Sequence, residues 1–290
     1  MTSSPGPVVV RALLVAELRT LRHRQASGGD AAARELGWTP GRLARVENWT
    51  PRNPIDDLAA LLDYRGAGPE QKEKLLRLAE TARRPAWWEP YLTGWDDPEF
   101  ARYLAYEAAA LSISAVEVLH VPALLQTEGY ARAVLGAYWP DATQERIDAL
   151  VELRQRRRRL LDERDEQDVA QIYLLDEAVI RRRTGSAEVM LGQLDRLLQE
   201  ADLPDVTIQV LPMAAAHTAF TGPFWLLDTG EGIDDVLHLE RFPRSSTYIG
   251  ASPELAEHRV AFARLSDDAL SPDRSRELLE TVRAELADGD

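Results

Sequence analysis

Apolar and polar positions in the first 84 residues alternate at helical spacing between short breaks. Leu14, Leu18 and Leu21 share one face while Arg11, Arg19, Arg22 and Arg24 take the others, which predicts an amphipathic helix from about residue 9 to 24. A second stretch, Ala31-Ala32-Ala33-Arg34-Glu35-Leu36, follows Asp30, a residue able to cap it, and stops at Gly37, which tolerates left-handed backbone. Thr39 is placed to cap the next helix, with Pro40 at the first position, where no intrahelical N–H bond is required. Two capped helices joined by a tight turn predict a helix-turn-helix over residues 29–48. Asn53 is expected to cap and Pro54 to start a fourth helix with Ile55, Leu58, Ala59 and Leu62 inward. Pro69 then opens a fifth with Leu75, Leu78 and Ala79 inward.

The rest of the chain mixes both periods. Helical spacing recurs at about 100–111, 124–139, 141–163, 188–201, 253–265 and 272–286, and alternating runs at 113–118, 169–175, 206–211, 224–227, 236–239 and 247–249 read as strands. The expected organisation is a disordered lead at 1–8, a helix-turn-helix domain at 9–84, an aromatic linker at 85–99 carrying Trp87, Trp88 and Tyr91, and a second domain at 100–288. The fold class is mainly α followed by α+β, with four to five helices in the first domain and a largely antiparallel sheet in the second.

Charge divides the chain in the same way. Residues 1–84 hold 14 Lys and Arg against 10 Asp and Glu, a net of +4, while residues 85–290 hold 20 against 38, a net of −18. Only the first part can displace counterions from nucleic acid, so double-stranded DNA is the expected partner of that part alone. Cysteine is absent, which excludes disulfides and thiolate chemistry and fits a reducing compartment. The early run Val8–Val15 is interrupted by Arg11 and followed by Glu17, so it reads as a core helix, and the expected location is cytoplasmic with no membrane partner. No phosphate-binding loop, dinucleotide fingerprint, Gly-x-Ser-x-Gly elbow or His-Glu-x-x-His occurs, and the five histidines are far apart in sequence. No cofactor, metal or catalytic residue is therefore expected.

Candidate chemistry sits in two places. A recognition helix presents its first turns to base edges, here Thr39, Pro40, Gly41, Arg42 and Arg45. Arg42 is the candidate for a guanine contact; Thr39, Arg45, Arg52, Arg19 and Arg22 are candidates for phosphate. The alternative is that these arginines form a solvated face. In the second domain Arg154 falls on the apolar stripe 147, 150, 151, 154, 158 and 161, so it needs a carboxylate, with Asp176, Glu177 or Glu107 available. That pairing is an internal salt bridge or else Arg154 marks an anion or partner site. The remainder of Arg154–Arg159, and Arg181–Arg183, read as solvated faces. His217 precedes Phe220, and a pocket lined by Phe220, Phe224, Trp225 and Tyr248 is weighed against a plain aromatic core.

Glu17-Leu18-Arg19-x-Leu21-Arg22 and Leu36-Gly37-Trp38-Thr39-x-x-Arg42-Leu43-x-Arg45-Val46-Glu47 resemble the Xre, or lambda-repressor-like, helix-turn-helix family. Arg84-Pro85-x-Trp87-Trp88, Val121-Pro122-x-Leu124-Leu125-Gln126-Thr127-Glu128-x-Tyr130-Ala131, Leu175-Asp176-Glu177-Ala178, Leu203–Pro212 and Gly222-Pro223-Phe224 resemble the large carboxy-terminal domain of actinobacterial Xre regulators. The resemblance implies a transcription regulator whose second domain senses an effector, either a small molecule or a small acidic protein encoded nearby; a dimer is expected because one short recognition helix reads too few base pairs alone. Three departures stand where the family reads DNA. Ser27, Gly28 and Gly29 replace its Leu-Thr-Gln lead-in, Pro40-Gly41 replaces a polar pair, and Trp49 replaces a glycine. The expected consequence is weakened base reading, and the alternative function is a repurposed member whose second domain binds or transforms a small metabolite.

Overall fold

The computed structural model describes residues 6–24, 29–50, 52–94, 97–163, 169–214, 222–230, 233–240 and 246–288, with backbone alone at 29 and 30. The chain divides into two compact units, Ser4–Glu89 and Pro90–Asp290. The expected 1–8 lead falls largely outside the described residues.

The first unit contains α1 (Pro7–Arg24), α2 (Gly29–Glu35), α3 (Pro40–Glu47), α4 (Ile55–Tyr64) and α5 (Pro69–Thr81). Leu14, Leu18 and Leu21 of α1 are buried with Ala32, Ala33, Leu43, Val46, Leu58, Leu61, Leu62, Leu75 and Ala79 in one core. Gly37 supplies the turn between α2 and α3 at φ 65°. Two boundaries differ from expectation. Helix α2 starts at Gly29, which places Asp30 in its first turn and not at the cap. Asn53 does not cap α4; it is buried and donates from Nδ2 to the Arg45 carbonyl at 2.6 Å while accepting from Thr50 Oγ1 at 3.1 Å. It ties the end of α3 to the following loop.

The second unit holds α6 (Pro98–Glu107), β1 (Ser112–Glu117), α7 (Glu128–Tyr138), α8 (Gln144–Asp162), β2 (Ala170–Asp176), α9 (Glu177–Arg181), α10 (Ala187–Glu200), β3 (Val206–Leu211), β4 (Phe224–Asp228), β5 (Val236–Leu239), β6 (Ser246–Ile249), α11 (Pro253–Asp268) and α12 (Pro272–Asp288). Short 3-10 turns precede α6, at Glu89–Leu92, and α7, at Ala123–Leu125. The six strands form one mixed sheet in the order β3-β2-β1-β4-β5-β6. β1 pairs in parallel with β2, and β2 with β3, whereas β1–β4, β4–β5 and β5–β6 are antiparallel. The parallel pairs follow from the helical crossovers β1–α7–α8–β2 and β2–α9–α10–β3, since parallel neighbours need a long connection.

Strand alternation sorts side chains onto the two faces. Val116, Leu174, Phe224, Leu226, Leu237 and Leu239 form one core with Leu255 and Leu265 of α11. The alternate positions, Ala115, Tyr173, Trp225 and His238, point to the other face, where Tyr103 of α6 stacks on His238 at 4.2 Å between centroids and meets Trp225 edge-on at 6.0 Å.

Candidate functional site

The helix-turn-helix is built as its caps require. Thr39 Oγ1 accepts from the Arg42 N–H at 3.2 Å, and Pro40 occupies the first turn of α3. Leu43 and Val46 point into the core, leaving Thr39, Pro40, Gly41 and Arg45 exposed. Arg42 is not free. Its Nε and Nη2 donate to the two oxygens of Asp57 at 3.0 and 2.6 Å, and its guanidinium lies over the Trp38 ring, 4.8 Å from the centroid. The bidentate bond to Arg42 holds the Asp57 carboxyl below the usual carboxylate range. Arg22 pairs with Glu47 at 3.1 Å, and Glu47 also takes Arg65 at 2.9 Å, so Arg22 is half of a link between α1 and α3. Arg19, Arg45 and Arg52 are exposed, and their side chains make no hydrogen bond or ion pair among the described residues.

Trp49, just past α3, is fully buried at φ 22°, and its indole Nε1 has no hydrogen-bond partner among the described residues. A side chain at positive φ is strained, so the indole's packing holds a backbone shape that glycine would adopt freely.

In the second unit a cavity of about 140 Å³ opens beyond the carboxyl end of β1. Its lining includes Leu119 and His120 from the segment after β1, Tyr138 and Trp139 from the end of α7, Arg154 and Arg157 from α8, Trp225 from β4, and His238 and Glu240 at the end of β5. Strand order reverses at β1, with β2 on one side and β4 on the other. Crevices outside strand carboxyl ends at such a reversal are the usual ligand sites of open α/β sheets.

Two arginines three residues apart on α8 have different surroundings. Arg157 donates from Nε and Nη2 to both oxygens of Glu107, at 2.8 and 2.6 Å, in a buried pair completed by the Tyr103 hydroxyl on Glu107. Arg154 donates from Nη1 to Gln126 Oε1 at 2.6 Å and has no carboxylate within ion-pair distance among the described residues. Burial pushes the Arg154 guanidinium down to about 10. Gln126 is itself buried and donates from Nε2 to the Val121 carbonyl at 2.6 Å, which fixes the orientation of the amide oxygen that Arg154 meets.

Two histidines and Glu240 complete the lining, and Glu117 lies beside His120. His238 Nδ1 lies 2.9 Å from Thr247 Oγ1, which donates to the Glu99 carbonyl, so Thr247 accepts from the imidazole and Nε2 is left as a lone-pair acceptor. Burial, reinforced by Arg157, pushes His238 down to about 3, and the ring is neutral near pH 7. His120 is also lowered by burial, and its buried Nδ1 has no hydrogen-bond partner among the described residues. Glu117, the last residue of β1, lies 4.0 Å from that nitrogen. Both its oxygens are buried without a hydrogen-bond partner, and burial followed by Glu240 raises its carboxyl well above the ordinary value; the Trp225 indole opposes the rise without reaching hydrogen-bond geometry.

Several expectations for this unit are corrected. Glu107 pairs with Arg157 and not with Arg154; Asp176 caps α9 by accepting from the Ala178 N–H at 2.8 Å, and Glu177 pairs with Arg181. Arg157 and Arg158 are buried, so the 154–159 run is not mainly a solvated face; Arg158 joins Gln171, Asp162 and the buried Glu200. Of the aromatic residues expected around one pocket, Trp225 lines the cavity, while Phe224 and Tyr248 belong to the core on the opposite face. Strand alternation forces that separation of 224 from 225. His217 and Phe220 lie outside the described residues. Sequence reasoning missed His120, His238 and Glu240, which the sheet brings together from residues more than a hundred apart; the hint present was a histidine at an inward strand position, 238.

A family model for a domain of unknown function, DUF5753, matches residues 100–281, and the chain belongs to that family. A helix-turn-helix domain model, HTH_31, matches residues 13–75, from within α1 to the middle of α5. The protein therefore carries an amino-terminal helix-turn-helix domain, of the kind that DNA-binding regulators use, ahead of its DUF5753 domain. No curated protein and no solved structure matches the chain. No helix among the described residues is long and apolar enough to cross a membrane.

Proposed function

We propose that this protein is a transcription regulator of the Xre type that binds double-stranded DNA through α3 and binds an effector in its carboxy-terminal domain. The observation that carries the DNA half is the capped, exposed first turn of α3 behind the Gly37 turn, in the part of the chain whose net charge is positive. Thr39 and Arg45 on α3, Arg52 beyond it and Arg19 on α1 are the phosphate-binding set; each offers a donor that nothing else in the unit uses as an ion pair. Arg42 reads a base only by exchanging Asp57 for guanine, and Pro40 and Gly41 bring no side-chain donor, so affinity comes mainly from phosphate. A dimer supplies the second half-site that one eight-residue helix lacks. The cavity supports a small molecule over a small protein as effector, because it is a hollow of one-ring size lined by Arg154, which has no carboxylate within ion-pair distance among the described residues, and by the unpartnered Nδ1 of His120.

The engagement of Arg42 by Asp57 favours one other reading, in which the helix-turn-helix is structural and the cavity binds or transforms a metabolite. A gel-shift titration on the DNA upstream of the protein's own gene, at low salt, separates the two. Binding that weakens steeply with salt supports the regulator; absence of binding at low salt overturns it.

A further inference from the structure

The cavity beside Arg154 has the chemistry of a small organic monoanion, an inference that rests on the effector-binding reading above. Arg154 offers five N–H donors and spends one on a neutral amide. Three residues away Arg157 is fully matched by Glu107, whereas Arg154 has no carboxylate within ion-pair distance among the described residues and feels Glu240 and then Glu117 only from farther off. Gln126, clamped by the Val121 carbonyl, holds the Arg154 fork in one orientation, and a planar fork of this kind matches a planar carboxylate with two parallel bonds.

The rest of the lining narrows the ligand. Phe100, Tyr103, Tyr138, Trp139 and Trp225 contribute rings to its walls. The volume, about 140 Å³, is close to that of engineered apolar cavities of about 150 Å³ that hold one benzene. Besides the guanidinium the lining carries two acceptors: the Glu240 carboxylate, the charge that acts most on Arg154, and the neutral His238 with its Nε2 lone pair. A ligand there needs a donor of its own. A phosphate dianion fits poorly, since one guanidinium must offset it in a lining that also holds Glu240.

We propose that this cavity binds a single-ring aromatic carboxylate bearing a hydroxyl or amino group, with its carboxylate on Arg154 and its donor toward His238 and Glu240. The test is calorimetric titration of the full chain, without DNA, using 4-hydroxybenzoate, 4-aminobenzoate and the neutral 4-hydroxybenzamide. The wild type is expected to bind both acids about tenfold or more tighter than the amide, the loss expected when a charge-assisted pair becomes neutral. Arg154→Gln is expected to lose that preference while still binding the amide, which reports an intact cavity; Arg154→Lys, keeping charge without the fork, falls between them. Equal binding of acid and amide, acid binding unchanged in Arg154→Gln, or no binding of any probe at millimolar concentration overturns the assignment. Acid binding that leaves DNA affinity unaltered sinks the regulatory reading and keeps the site; no acid binding with intact DNA binding does the reverse.

Discussion

Arg42, in the first turn of α3, holds both carboxylate oxygens of Asp57 on α4, so the residue proposed to read a base is also the clamp between two helices. Asp57 thereby puts a negative charge beside the turn proposed to face DNA. Asp57→Asn is expected to raise DNA affinity by releasing the Arg42 fork and removing phosphate repulsion, and to lower the melting temperature. Arg42→Ala is expected to lower both. Fluorescence anisotropy with a labelled duplex, alongside thermal denaturation, checks the pair; Asp57→Asn weakening DNA binding while the fold stays intact would show that the clamp presents Arg42 and does not withhold it.

Trp49 balances strain against packing. A residue in a sparsely populated backbone region costs about 1–3 kcal/mol, whereas removing a buried tryptophan costs about 3–5 kcal/mol. Packing outweighs strain, so Trp49→Gly is expected to destabilise the protein despite easing its φ of 22°. Urea denaturation followed at a first-unit probe measures the sign, and a stabilised variant would mean that strain dominates.

The Arg157–Glu107 pair is buried on both sides, with side chains 4% exposed each. Breaking such a pair from one side strands a charge and costs about 3–5 kcal/mol, while replacing both partners with apolar residues is often neutral. Glu107→Leu alone is expected to fall in that range, and the double variant Glu107→Leu/Arg157→Leu to recover much of the loss. A chemical-denaturation double-mutant cycle reads the coupling; additive effects would show that the pair does not act as a unit.

His238 links stability to pH. Its folded value, about 3, lies below the ordinary value of 6.5, so the unfolded chain binds the extra proton first as pH falls. Its contribution is complete above the unfolded value and is lost as pH drops from 6.5 toward 3. Glu117, shifted upward, has the opposite sign: its burial costs stability as pH rises above 4.5. His238→Gln is therefore expected to flatten the acid limb of a stability–pH curve, and Glu117→Gln to be the more stable protein at neutral and higher pH. An acid limb unchanged in His238→Gln would contradict the buried neutral imidazole.

Local chemistry made the first unit readable: Leu14, Leu18 and Leu21 mark a face by spacing, Gly37 a turn by its φ, and Thr39 a cap by its hydroxyl. Asn53 misled because its buried amide found a distant carbonyl, that of Arg45, in place of the local cap. The strand positions were legible from alternation, but not the order, which depends on β4 crossing to the far side of β1. The Arg154 stripe was legible as well, and its helix correctly faces inward; which arginine receives Glu107 was not. Residues 154 and 157 sit within a turn of each other, and the choice is set by where α6 lies in space. Strand parity alone would have removed Phe224 from the company of Trp225, whereas placing Tyr248 on the far face and His238 beside Trp225 depends on the β4–β5–β6 register.

Phosphate binding by the first unit is the central claim, and counterion release measures it most directly. Anisotropy titrations over a range of salt concentrations are expected to give a log–log slope near −0.9 for each phosphate engaged, with Arg19→Ala, Arg45→Ala and Arg52→Ala each making the slope shallower by about 0.9. A slope near zero, or one that none of the three substitutions alters, would contradict the account.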